Sequence, residues 1–223
     1  WTNTTPSIGL AGSGTGNIGS FAGTNGTIAP VVGTVTVTPT ALGCVGASES
    51  YTITVNPTPS VNALTDETLC NGSSTTAITF GSTVAGTTYA WANDNTSTGL
   101  ASSGSGNIAS FTATNGTSTS ITSNITVTPT ANGCAGPTSM VSITVDPTPT
   151  MNPMADETLC NNTMTTATAF GSSVAGATFA WTNNNGLIGL GASGTGNIAS
   201  FNATNGTNAQ ISATITVTPS ANG

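Results

Sequence analysis

The 223-residue chain contains no lysine, arginine or histidine and seven acidic residues, a formal net charge of −7. With no cations it cannot neutralise phosphates or anionic lipid, which excludes charge-driven binding of nucleic acid and of membrane surfaces. With no imidazole and no lysine amine it lacks a near-neutral base, a Schiff-base amine and a Ser-His-Asp relay.

Charged residues make up 3% of the chain, against about 25–35% on an ordinary soluble surface. Threonine, serine, asparagine and glycine take their place, as in secreted bacterial surface arrays. No apolar run reaches transmembrane length and no signal stretch is present.

In chain order, one stretch is written three times: Trp1 to Phe21, Trp91 to Phe111 and Trp181 to Phe201. Each runs from Trp through Gly-Leu and Ser-Gly-(Thr/Ser)-Gly-Asn-Ile to Ser-Phe, and the period is 90 residues with no insertion. A period of that length is tandem repetition of a small domain. It predicts the end of one repeat over 1–57, a complete repeat over 58–147 and the start of a third over 148–223, cut from a longer array.

Within the complete repeat, Pro57-Thr58-Pro59 is a stiff extended linker, copied as Pro147-Thr148-Pro149. Strands are predicted over Val61–Leu69, around Ala77–Phe80, at Tyr89 and Trp91, and at Phe111 and Ala113. The clearest alternation is Ile121, Ser123, Ile125, Val127, copied at Val31–Val37 and Ile211–Val217. The last strand carries Val141, Ile143 and Val145. Short Thr- and Val-rich strands of period two, separated by Gly, Asn and Pro, predict an all-β, immunoglobulin-like sandwich for each repeat. Trp1, Trp91 and Trp181, with Phe21, Phe111 and Phe201, are expected in the core.

Gly14-Thr-Gly16-Asn-Ile-Gly19 and its copies match a dinucleotide fingerprint on paper. No helix follows, so there is no dipole to hold a phosphate, and the glycines are read as turn and bulge residues. Asp66, Glu67, Asp146, Asp156 and Glu157 cluster by the Pro-rich junctions and are the candidate Ca²⁺ ligands, although calcium needs six to eight oxygens. Solvated turns are the competing reading, and no other cofactor is implied. Sequons occur at Asn95, Asn115 and Asn205.

Cys44 and Cys134 share one repeat position, Cys70 and Cys160 another. Even numbers at recurring positions suggest an oxidising, extracellular setting. A staple inside one repeat (Cys70–Cys134), a rivet between neighbouring repeats, and free thiols all remain open.

The motifs Val-x-Pro-Thr-Pro, Glu-Thr-Leu-Cys-Asn, Tyr-Ala-Trp-x-Asn, Gly-Leu-x-x-Ser-Gly-x-Gly-Asn-Ile-x-Ser-Phe and Ile-Thr-Val-Thr-Pro-x-Ala-Asn-Gly-Cys resemble the PKD-like repeats of Bacteroidota surface proteins. The repeat regions of SprB-type gliding-motility adhesins are similar. That resemblance implies export to the bacterial cell surface by the type IX system, a long filament used in cell adhesion and gliding, and no catalytic residues. The expected partners are neighbouring repeats of the same chain. A self-assembling sheath, with copies packed side by side, is the first alternative. The second is a polysaccharide-binding module; the outward pairs Thr36/Thr38, Thr52/Thr54 and Thr126/Thr128 suggest an ice-binding variant of it.

Overall fold

The computed structural model describes residues 1–221. It is all-β: the only helical pieces described are three single 3₁₀ turns, Pro6–Ile8, Thr96–Thr98 and Gly186–Ile188. Each of these occupies the same place in the 90-residue period and closes on a left-handed glycine, Gly9, Gly99 or Gly189.

The central sheet holds Glu67–Cys70, Ser139–Asp146, Ile121–Ala131, Thr88–Asn93 and Ser103–Ser105, side by side in that order, with Cys134–Ala135 folded back on the long strand. Alternation explains it. Ile125 and Val127 face inward beside Val141, Ile143 and Val145, all 1% exposed or less, while the threonines between them face water. All the pairings are antiparallel except one: Glu67–Cys70 runs parallel to Ser139–Asp146, with Glu67 opposite Ile143 and Cys70 opposite Asp146.

The second layer is made differently from the expectation. Around Ala77–Phe80 and at Phe111 and Ala113 there are no strands, only the isolated bridges Ile78–Ile108 and Ser74–Thr112. Side chains take the backbone groups a ladder would use: Phe80 N–H donates to Asn107 Oδ1 at 2.9 Å, and Phe111 N–H to Thr75 Oγ1 at 3.0 Å. These segments still lay Phe80, Leu100, Ile108 and Ala113 on the sheet's inner face, forming one core with Ile125, Val127, Val141, Ile143 and Val145. The result is a sandwich with one regular layer and one bridged layer.

The first strand is also shorter than predicted. It covers Glu67–Cys70, not Val61–Leu69, because the Asp66 carboxylate accepts the Ser142 N–H at 2.7 Å where a strand carbonyl would otherwise sit. The chain therefore enters beside the hairpin tip, where Asn56 Nδ2 donates to the Asn132 carbonyl at 2.9 Å. It leaves at Asp146, at the far end of the long strand.

The same plan recurs on both sides. Thr2–Asn3, Val31–Val37 and Glu49–Val55 form one sheet; Ser193–Thr195, Thr178–Asn183 and Ile215–Ser220 form another. Their cores vary by compensation. Thr98 packs near Ser123 in the centre, where both are fully buried. At the same places the first repeat has Ile8 and Gly33, and a β-carbon on Gly33 would lie 2.5 Å from Ile8 Cδ1. Volume added in the 3₁₀ turn is removed from the strand packed against it, as close packing requires.

Candidate functional site

The glycine-rich segment is the most conspicuous motif, and its geometry is structural. Ser103–Ser105 is a short strand against Thr88–Asn93, with Gly104 directly opposite Trp91; Gly194 stands opposite Trp181 in the same way. A β-carbon on Gly14, Gly104 or Gly194 would fall inside the indole of Trp1, Trp91 or Trp181. Glycine is needed there for close approach of backbone to ring, and Gly106 at φ 69° turns the chain out of the strand. Trp1 and Trp91 are half-buried and packed against their cores. Trp181 is 9% exposed, and the Nε1 atoms of Trp1, Trp91 and Trp181 are buried without a hydrogen-bond partner. Phe21, Phe111 and Phe201 are half-buried against the three cores.

The five candidate calcium ligands do not converge, and among the described residues no three His, Cys, Asp or Glu side chains gather. Each engaged carboxylate has a separate partner. Asp66 takes Ser142, Asp146 takes the Ser120 hydroxyl, Glu67 takes the Thr76 N–H at 3.1 Å, and Glu157 repeats this with Thr166 at 3.1 Å. Asp156 lies exposed. Asp94, which sequence reading left aside, accepts Asn124 Nδ2 at 2.8 Å and Asn124 N–H at 2.7 Å. The Asn124 contacts hold its carboxyl below the usual range, and the Ser142 backbone N–H does the same for Asp66. Hard-cation coordination needs several of these oxygens free and close together. Among the described residues these carboxylates are dispersed, and Asp66, Asp146, Glu67 and Glu157 are engaged in turn and edge contacts.

Asparagines carry more of the architecture than their sequons suggest. Asn93 is buried; its Nδ2 donates to the Leu100 carbonyl at 3.1 Å and its Oδ1 accepts the Asn95 N–H at 3.0 Å. Asn3 and Asn183 repeat the pattern. Asn115, 4% exposed, donates to the Val145 and Thr119 carbonyls at 2.7 and 2.8 Å. Asn95 Nδ2 is likewise held by the Thr122 carbonyl and Asn205 Nδ2 by the Ala209 carbonyl. Buried polar groups persist where their partners are supplied. The signal available in the sequence was recurrence: Asn3, Asn93 and Asn183 keep the 90-residue register.

The threonine ladder is partial. Thr122 and Thr144 hydroxyls pair at 3.0 Å and Thr36 pairs with Ser50 at 2.8 Å. Thr126 faces Met140, which is 62% exposed, and Thr54 faces Val32, so the rows are interrupted by apolar side chains.

All four cysteines are free thiols; Cys44, Cys70 and Cys160 are exposed and Cys134 is half-buried. The within-repeat staple is ruled out by placement. Cys70 pairs with Asp146 at one end of the sheet, and Cys134 pairs with Ala131 at the other end of the 11-residue strand. That is roughly 30 Å of strand at 3.3 Å per residue, where a disulfide needs Cα atoms within about 7 Å.

Two shallow concavities lie on the described surface. One lies along Thr178–Ala180, Thr195, Gly196 and Thr218, the other along Ala63–Thr65 and Thr76–Thr79, and neither has a charged side chain on it. No helix among the described residues is long and apolar enough to cross a membrane.

No protein-family model matches the chain, and no curated protein does. Among solved structures it is similar to the crystal structure of the chicken CNTN1 FN1-FN3 domains, at 10% identity and a TM-score of 0.30, over 83% of this chain and 68% of that chain.

Proposed function

We propose that this chain is a force-bearing, non-catalytic segment of a long extracellular filament, the stalk of a surface adhesin. The observation that carries the reading is the parallel pairing of Glu67–Cys70 with Ser139–Asp146. The first of these is the first strand of the complete repeat in chain order and the second is its last, and the chain enters and leaves at opposite ends of the sheet. A pull on the two ends therefore loads the whole parallel ladder in shear, so its bonds must break together instead of unzipping one by one. Asp66 to Ser142 N–H at one end and Asn71 N–H to the Asp146 carbonyl at the other, 2.8 Å, lengthen the clamp.

Repetition supports the same reading. A 90-residue unit, complete over 58–147 and partial over 1–57 and 148–223, adds length by duplication, roughly 40 Å each if a strand of 10–12 residues spans one unit. Neighbouring repeats are the partners this reading needs, and the Asn56–Asn132 contact at the junction is consistent with it. A surface without lysine or arginine also gives trypsin-like proteases no cleavage site. Cell adhesion and gliding on a bacterial surface, with type IX export, follow from the resemblance of the repeat motifs, and binding would belong to a tip elsewhere.

Single-molecule stretching tests the clamp. The complete repeat should unfold in one step at a force well above that of a hairpin peeled open. Asp66→Ala should lower that force. Unfolding at hairpin-like forces, unchanged by Asp66→Ala, would sink the force-bearing reading.

A further inference from the structure

The two cysteine positions that cannot meet inside one repeat are both placed at junctions. At the entry of the central repeat, the hairpin tip carrying Cys134 grips the linker. The Asn132 carbonyl accepts Asn56 Nδ2 at 2.9 Å, and Gly136 lies so close to the Pro59 carbonyl that a β-carbon there would collide with it. Pro57 and Pro59 are fully buried.

At the exit, the turn carrying Cys70 touches the next copy of that linker. Asn71 Nδ2 donates to Thr148 Oγ1 at 3.4 Å, and Cys70 stands directly opposite Asp146 in the parallel ladder. Asp146 occupies the repeat position of Asn56. Overlaying the two junctions by their 90-residue register puts the backbone of a Cys70-type residue one strand spacing, about 4.8 Å, from that of the linker residue whose side chain reaches the Cys134-type tip.

We infer that the Cys70-type turn of one repeat and the Cys134-type hairpin tip of the following repeat form a disulfide that closes each junction. This rests on the stalk reading, in that it requires repeats stacked end to end. Two S–H bonds break and one S–S bond forms. The two protons and two electrons pass to a disulfide oxidant, such as oxidised glutathione, which leaves as two thiols. The bridge would tie a repeat's last turn to its neighbour across the Pro-Thr-Pro linker, limiting bending where no sheet spans the gap. Each junction takes one cysteine of each kind, so an array uses its thiols in pairs, and the rivet suits an oxidising compartment.

The test continues the full chain past Gly223 with a copy of residues 134–147, giving the third repeat a tip and a last strand. After oxidation by glutathione disulfide, non-reducing peptide mapping should find Cys70 joined to the added cysteine, and Cys70→Ser should abolish that peptide. A Cys70–Cys134 link overturns the inference, and so does an unlinked Cys70 in a chain whose added strand is protected from hydrogen exchange. If the added strand is unprotected, Asn56→Cys in the 223-residue chain decides: a high-yield link between the introduced thiol and Cys134 upholds the junction geometry, and its absence refutes it. High unfolding force in a chain that never cross-links removes the disulfide and leaves the stalk standing.

Discussion

The tetrapeptide Glu-Thr-Leu-Cys occurs twice, and only one copy is a strand. Glu67–Cys70 is a parallel strand because Ser139–Asp146 lies beside it; residues 157–160 have no partner strand among the described residues and take no regular structure. The Ile121 strand and residues 211–214 differ in the same way, since the first four residues of Ile121–Ala131 pair with residues 142–145. Burial follows. Val127 is fully buried, while Val37, at the same repeat position, is 40% exposed. Strand identity in this chain is a property of the pair: alternation makes a segment eligible, and a neighbour's hydrogen bonds and apolar face make it a strand.

Substitutions in differently buried sheets test whether burial follows pairing. The largest effect is expected from Ile143→Ala in the fully buried ladder, about 2–5 kcal/mol, read as lost hydrogen-exchange protection over residues 121–146. Val37→Ala in the first repeat should cost a small fraction of that; equal losses would mean that the two sheets are buried alike.

Gly33→Ser copies the central repeat's residue into the first repeat, where it meets Ile8. It should cost about 1–3 kcal/mol, and adding Ile8→Thr should recover much of the loss in a double-mutant cycle. Simple additivity would refute the compensating pair.

Asn115→Ala strips the Val145 and Thr119 carbonyls of a buried donor and should cost about 1–3 kcal/mol by thermal or urea unfolding. Asn25, which makes the same contacts from an exposed part of its repeat, should cost less.

The smallest effect is the acid response. Asp66 and Asp94 carry carboxyls lowered from 3.8. Their contribution is therefore present above that value and lost as pH falls below it through the folded values. Asn184 accepts the Thr214 N–H at 2.8 Å where Asp94 accepts Asn124. Asp94→Asn should thus leave stability near pH 7 almost unchanged and shrink the loss on acidification, measured as melting temperature at pH 6 and pH 2.5.

Much of the fold could be read from residues alone. Strict alternation at Ile121–Val127 and Val141–Val145 marks the two central strands, and each occupies the predicted face. The second layer could not be read this way. Thr75, Asn107 and Ser110 look like loop composition, yet their side chains replace ladder bonds and hold Phe80 and Phe111 against the sheet. The partners of the acidic pairs were not legible either. Recurrence beside the Pro-rich junctions marks Asp66 and Glu67 as a pair, whereas in the fold they serve different contacts, Ser142 and Thr76.

Composition and spacing fix the period, the all-β class, the inward face of the long strands and the lack of any imidazole or lysine amine. Both are local properties of the chain. Long-range contacts set the rest: the first and last strands run parallel, the two kinds of cysteine lie at opposite ends of a repeat, and Asp66, Glu67, Asp94, Asp146 and Glu157 each take a separate partner. These depend on which segments become neighbours across tens of residues, and hydrogen-bond pairing at a distance leaves no periodic trace in the chain.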